Sequence, residues 1–359
     1  MIKTYENYLV KLFLKKVLNV SVIFFLLIFI LSVFEEISFF KGMNVNFFFP
    51  FLITFLNAPS TLFEIFPFIF LIGTQFFFID LINKNELEIL KINGLNNFKI
   101  IKLLFITSFV LGLLITALFY NFSSKLKFLY LDLKNNYSND NKYLAVVTEN
   151  GLWIKDEIDN KIYITNASTI KNEFLYNVFI SEFDENFNLT RTITSEKVNI
   201  NSKQWLIFKP TISKNNSSLK YDKNIPLMSH FDKYRINSLF ENLSSLNLLD
   251  LNKVMKDYES LGYSIGEVKS HIYKLYSLPL FLSIMTIFAS IIMFNIGRLR
   301  SLIFHIVLGI LLSVIIYYCY YLFNLLGENG KIPTSLSVFF PLFILIIIIL
   351  MGLVRINEK

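Results

Sequence analysis

Cysteine is almost missing from these 359 residues: Cys319 is the single one, and it lies inside an apolar run. A disulfide framework and a thiolate metal site are therefore excluded within one chain. Histidine occurs three times, at His230, His271 and His305, too scattered for a His-rich metal site. Charge is scarce as well. Asp, Glu, Lys and Arg make up 17% of the chain against 54% hydrophobic residues, and the mean hydropathy of +0.53 points to lipid as a solvent. No Gly-x-x-x-x-Gly-Lys-Ser/Thr run is present to wrap a phosphate, and no His-Glu-x-x-His helix to hold zinc. The chain is read as lacking hydrolase chemistry, no cofactor is expected, and any work it does draws energy from a partner. The net charge of +7 raises nucleic acid as a partner. The basic residues flank apolar segments without forming a patch, so membrane topology accounts for them and nucleic acid is not expected.

What is abundant is apolar length. A helix needs roughly 20 mostly apolar residues to cross a hydrocarbon core, because lipid offers backbone N–H and C=O groups no partners. Six segments qualify: Val17 to Phe34, Phe63 to Ile82, Ile100 to Phe122, Leu278 to Ile296, Leu302 to Leu326, and Leu336 to Val354. Phe47 to Leu56 is apolar too, but Pro50, Pro59 and Pro67 each remove a helix donor, which predicts a broken entry and not a seventh span. Gln75 and Asp80 are polar residues of the second segment, for which an interior or rim position is expected. Lys3, Lys11, Lys15 and Lys16 precede the first span. Lys84, Lys91, Lys99 and Lys102 surround the loop after the second, Arg298 and Arg300 separate the fourth and fifth, and Arg355 and Lys359 end the chain. The remaining short loops offer only Lys41 and Lys331. This asymmetry predicts a bacterial inner-membrane protein with both termini cytoplasmic and its central segment periplasmic.

The expected domains are residues 1–122 with three spans, 123–277 outside the membrane, and 278–359 with three more. The central segment changes character, with short stretches rich in β-branched and aromatic residues. These are Leu144 to Thr148, Leu152 to Lys155, Lys161 to Thr165, Tyr176 to Phe183, Leu189 to Thr194, Lys197 to Ile200 and Trp205 to Ile212. Turn residues break them at Asn150-Gly151, Asp159-Asn160 and Asp184 to Asn186. The fold class is thus an α-helical membrane protein, three spans plus three, with an inserted all-β domain of sandwich, jelly-roll or partial-barrel type. Both tryptophans, Trp153 and Trp205, fall in it and read as core anchors. Leu248 to Leu261, with Gly262 as its stop, reads as a helix leading back to the membrane.

The loop Lys84 to Asn96 carries the sharpest hypothesis. Asn85 followed by Glu88 has the spacing of a capping box, and Gly94 supplies a left-handed stop, which predicts a helix of about two turns with Leu87, Leu90 and Gly94 on one face. Such a helix either lies in the headgroups or plugs into a groove of a cytoplasmic ATPase.

The run Glu86-Leu87-x-x-Leu90-x-x-x-Gly94 resembles the Ser-Glu-Leu-x-x-Leu-x-Ala-x-Gly-x-Ser signature of the LptF/LptG lipopolysaccharide-export permeases, with Asn85, Ile92 and Asn96 replacing its small residues. Phe66-Pro67-Phe68 through Leu71-x-Gly73 resembles the family's Pro-Phe-x-x-Leu-x-Gly helix. Gly151-Leu-Trp153-Ile-Lys-Asp156 resembles its Leu-Trp-x-basic-Asp strand, and Gly327-x-x-Gly330-x-Ile-Pro333 the turn into its last helix. The Leu-Trp strand and the Pro-Phe-x-x-Leu-x-Gly helix look more like LptG than LptF. The resemblance implies a transporter subunit, not an enzyme, that forms a heterodimer with a sister permease on a cytoplasmic ATPase dimer, which is where ATP would be used. It also implies a periplasmic jelly roll passing lipopolysaccharide to a bridge protein, first and fifth spans lining lateral gates, Glu86, Leu87, Leu90 and Gly94 coupling to the ATPase, and Trp153 and Trp205 in the core or lipid path. Lys41, beside Glu35 and Glu36, sits where related permeases meet the lipid headgroup. Two other readings remain: a mechanotransmitting permease, whose outer domain usually follows the first span, and a membrane-anchored periplasmic binding protein.

Overall fold

A computed structural model describes residues 4–43, 45–135, 137, 152–158, 161–171, 173–185, 187–214, 217–233, 236, 242–260, 265–294 and 302–357. The expected strand Leu144 to Thr148, the turns Asn150-Gly151 and Asp159-Asn160, the stop at Gly262, and Lys3, Arg298, Arg300 and Lys359 lie outside them. The chain divides into two compact units. One comprises residues 1–130, 247–251 and 265–359, and the other 131–246 and 252–264.

In the helical part, α1 (Thr4–Phe39), α2 (Phe49–Glu64), α3 (Phe66–Asn83), α4 (Glu86–Ile92) and α5 (Asn97–Leu114) precede a π-helical turn (Ile115–Phe119) and α6 (Tyr120–Asn135). After the strands come α7 (Leu248–Ser260), α8 (Gly266–Phe294), α9 (Leu302–Glu328) and α10 (Thr334–Asn357). Six helical stretches are long and apolar enough to cross a membrane: Thr4–Phe39, Phe66–Asn83, Asn97–Lys134, Gly266–Phe294, Ile303–Glu328 and Thr334–Arg355. Three lie before the strands and three after, as the hydropathy predicts. The prolines break the second span where expected. Ile65 leaves helical geometry (φ −98°, ψ 5°), Pro67 enters at the start of α3, and Phe47 to Leu56 falls largely into α2, a separate helix of 16 residues.

Water drives none of the helix packing inside a bilayer, so close backbone approach must supply the contact. α3 and α8 form the centre, with 61% and 67% of their spans buried. α3 touches α1, α8 and α9, while α8 touches α5 and α10 as well. Glycine makes two of these approaches possible. A Cβ on Gly73 would stand 3.1 Å from the Val17 Cα, and one on Gly112 2.7 Å from the Pro279 Cα. Hydroxyls fill the same seams without stranding a polar group: Ser108 and Thr286 bond each other at 2.9 Å, and Ser283, Thr286 and Ser290 each bond a carbonyl one turn back.

The β unit is one antiparallel sheet. Its strands are β1 (Leu152–Ile158), β2 (Lys161–Lys171), β3 (Phe174–Phe183), β4 (Leu189–Asn199), β5 (Gln204–Phe208), β6 (Thr211–Lys214), β7 (Ser217–Lys220) and β8 (Ile225–Met228). The order is β1-β2-β3-β4-β5-β8, with β6 pairing a different stretch of β4 and β7 continuing from β6. β1, β2 and β3 run longer than expected, and two further stretches are divided differently. Leu189 to Thr194 and Lys197 to Ile200 are one strand, and Trp205 to Ile212 is two, because Lys209 takes a positive φ of 40° and Pro210 follows it. β7 and β8 were not anticipated; Ser217 to Lys220 is exposed at every position, with Leu219 its one apolar residue, so it carries no alternation to read.

A crease runs across the sheet and explains the fused strand. Along β3 the inward residues step from Leu175 to Val178, and along β4 from Ile193 to Val198, so both strands exchange faces between those points. Asn177, with φ 50°, lies opposite Glu196 at the change. Ser195 seals it: its Oγ accepts the Lys197 N–H and donates to the Phe208 carbonyl at 2.6 Å. β6 pairs Thr192 to Thr194 on one side of the crease, and β5 pairs Lys197 to Asn199 on the other. Outside the core, Glu182 is a buried carboxylate held by Lys161 Nζ (3.0 Å) and Arg191 Nε (2.5 Å), one cation from each neighbouring strand.

Candidate coupling helix and lipid-facing surfaces

α4 forms as the loop predicts, but its start does not. Asn85 is itself left-handed (φ 59°) and makes no side-chain cap, so the expected capping box is absent. A left-handed residue turns the chain sharply out of α3, and the side chain cannot reach back to the amides it was expected to satisfy. Gly94 (φ 85°) does close the helix, with Leu95 N–H bonded to the Leu90 carbonyl. Asn96 then accepts the Lys99 N–H at 2.9 Å and starts α5, which accounts for an amide where a small residue stands in the resembling signature.

The two faces of α4 divide differently from expectation. Leu87 and Leu90 pack inward against the core formed by α1, α3 and α5, whereas Ile89 and Ile92 face out, Ile92 with 85% of its surface open. Glu86 accepts the Tyr8 hydroxyl at 2.6 Å, which fastens α4 to α1. Two turns further along α1, Lys16 pairs with Asp80 of α3 at 2.6 Å, which places the polar end of the second span at an ion pair. Leu9 and Phe13, both fully buried, fill the space between these bonds. Spacing alone could not show which leucines turn inward; the exposed Ile89 and Ile92 were legible only as generic apolar residues.

Lys41 is exposed in the turn after α1, ahead of Gly42 (φ 87°). Its two acidic neighbours separate: Glu35 is exposed, while Glu36 is buried and accepts the Tyr130 hydroxyl at 2.9 Å. Of the six spans, the first and fifth are the least covered, at 22% and 17%. Their open faces are continuous hydrocarbon, with Leu18, Val22, Leu26, Ile30 and Phe34 on α1 and Val307, Leu311, Val314 and Ile315 on α9. A face of that size needs lipid or another apolar surface against it.

In the β unit the tryptophans part company. Trp205 is buried and donates its indole N–H to the Phe231 carbonyl at 2.6 Å, as a core anchor should. Trp153 alternates outward on β1 and is half exposed. The residue that matters on β1 is Asp156. Its carboxylate accepts Ser229 Oγ (2.8 Å), the His230 N–H (2.9 Å) and His230 Nδ1 (2.8 Å), fastening the first strand to the segment after the last. Around this closure Leu152, Ile154, Val178, Ile193, Val198, Ile207 and Phe231 make a dry apolar interior.

A Gly-x-Ser-x-Gly run does occur, at Gly262 to Gly266, and the reading of no hydrolase signature is corrected on that point. It joins helix α7 to helix α8 and not a strand to a helix, the context such a nucleophile requires, and residues 261–264 lie outside the described ones. No group of three metal-ligating side chains occurs among the described residues.

The family model described as the lipopolysaccharide export system permease LptF/LptG matches residues 7–355. The chain belongs to that family. No individually curated protein matches it. It is accordingly a multi-pass inner-membrane permease of lipopolysaccharide export, and not itself an enzyme. The motifs shared with LptF/LptG permeases acquire physical reasons here. Pro67 restarts the helix after the Ile65 break, and Gly73 lets α1 lie against α3. Gly327 leaves room for Ser337, whose Oγ would stand 2.1 Å from a Cβ there, and Gly330 turns left-handed (φ 69°) ahead of Pro333.

Proposed function

We propose that this permease is the LptG-type transmembrane subunit of an ATP-driven exporter, paired with a sister permease and seated on a cytoplasmic ATPase dimer. Lysine placement supports termini and α4 on the cytoplasmic side and the β unit in the periplasm. The observation that carries the reading is the pair of open hydrocarbon faces on α1 and α9, together with a short helix joining α3 to α5. In this reading lipopolysaccharide enters beside α1 and α9, with Lys41 near its phosphorylated sugars. Closure of the ATPase is felt through Ile89, Ile92 and Glu88. Glu86, Leu87 and Leu90 hold α4 to its own helices, and Gly94 ends it. Tyr8 and Glu86 pass the displacement to α1. Acyl chains then move into the apolar interior of the β unit, whose seam at Asp156 is the place to open, and from there to a periplasmic bridge protein.

Copurification tests the coupling half. Ile92→Glu in the chain coexpressed with its neighbours should abolish ATPase capture while leaving the permease in the membrane; undiminished capture would refute docking through this face. A photocrosslinking residue at Leu227, which packs against the β interior, tests the lipid half. It should yield an adduct with lipopolysaccharide, and a domain that only supports the structure would yield none.

A further inference from the structure

α9 is held to the rest of the permease by an unusual seam. Its buried stripe includes His305, Gly309, Ser313, Tyr320 and Asn324, one residue for each turn or two, while its outward face is mostly Ile, Leu and Val with Phe304, Tyr318 and Tyr321 among them. Further along, three aromatic pairs hold it: Tyr317 with Phe68 of α3, Tyr320 with Phe281 of α8, and Phe323 with Phe340 of α10. What meets α9 near its start is Gln75 of α3, fully buried, whose Nε2 donates to the His305 carbonyl at 2.9 Å. Gly309 makes room for that amide: a Cβ there would stand 2.1 Å from Gln75 Nε2 and 2.8 Å from its Cδ. The other half of the amide has nothing to bond. Gln75 Oε1 is buried without a hydrogen-bond partner among the described residues, and so is Asn324 Oδ1 about five turns further along the same stripe.

We propose that Gln75 is the latch of α9. Its N–H bond to the His305 carbonyl holds the helix closed, while the open oxygens of Gln75 and Asn324 favour any state in which water or a lipid hydroxyl reaches the seam. Gln75 is therefore a positioning residue for lipid entry. The inference rests on the reading of α9 as a wall of the entry path and adds the device that holds that wall.

The experiment uses the full chain in membranes with its coexpressed partners, in a Cys319→Ser background because Cys319 is exposed. Spin labels go on Phe76 of α3 and Val307 of α9, both open-faced. Gln75→Met keeps the length of the side chain and removes the donor; Gly309→Ala instead pushes the amide away. Each should broaden the label-to-label distance distribution toward longer values, and each should raise lipopolysaccharide crosslinking from a photoreactive residue at Ile315 by several-fold. A distribution unchanged in Gln75→Met overturns the latch, whatever Gly309→Ala does. A broadened distribution with no lipopolysaccharide adduct in either protein supports the latch and refutes the entry path, so the two failures are told apart.

Discussion

Replacing Asp156 by alanine removes a carboxylate on which three donors converge, and the donors cannot follow it to water. Ser229 is buried, and its hydroxyl also accepts the Phe231 N–H at 3.1 Å, so its orientation is fixed from both sides. The imidazole of His230 is about half exposed and its bond counts for little, because water replaces it readily. The other two are bonds to a charged acceptor, at about 1.5 to 3 kcal/mol each, with some of that recovered as the loop relaxes. A net loss of about 3 kcal/mol at this seam is a factor of about 100 in local opening. Hydrogen exchange on the full-length protein in detergent reads this directly. Amides of β1, of β8 and of His230 and Phe231 should exchange about a hundredfold faster, while α3 and α8 keep their protection. Asp156→Asn retains one acceptor oxygen and should fall between the two. Unaltered exchange in β1 and β8, or a rise shared equally by every helix, would show that the carboxylate does not close the sheet.

Three further outcomes follow from other contacts. Gly112→Ala sets a Cβ 2.7 Å from the Pro279 backbone and forces α5 from α8, whereas Gly352→Ala meets no backbone, only side-chain carbons of Ile291 at 3.0 Å and beyond. The first should cost about 1 to 3 kcal/mol and lower the aggregation temperature in detergent; the second should leave it near wild type. Burial pushes the Glu182 carboxyl up, but the hydrogen bonds from Lys161 and Arg191 outweigh it and leave the group below its ordinary 4.5. A lowered folded value means stability that is present above 4.5 and lost as pH falls through the folded value. Protection of β2 to β4 should therefore drop in that acid window, and Glu182→Gln should abolish the step. With two tryptophans in the chain, Trp205→Phe leaves the half-exposed Trp153 and should give redder, more easily quenched emission than Trp153→Phe.

The spans were legible because the bilayer imposes one demand on every helix, a length of hydrocarbon, and that demand is written residue by residue. The broken second span was legible for a similar reason, since Pro67 acts on its own backbone. The β unit was harder. Its strands alternate until Asn177 and Glu196, where both neighbours change face together, and a periodicity read along one strand sees only an interruption. Asp156 was legible only as the end of a resembling strand motif, and its role was not, because its partners Ser229 and His230 lie more than 70 residues away. In the coupling loop the helix and its glycine stop were local and readable. Which leucines turn inward depended on α1, and so did the partner of Glu86. Asn85 misled because one side chain suits a cap and a left-handed turn equally.

Among the described strands, the fork at β4 gives this sheet three margins where an unbranched one has two. β7 closes one with four exposed residues, too short to template much pairing. β8 closes another, and Pro226 strips an amide from it. β1, with seven residues and no proline, is the long margin among the described strands. β1 is also the strand whose Asp156 holds Ser229 and His230, behind β8. A pull along that margin is therefore a pull on the clasp.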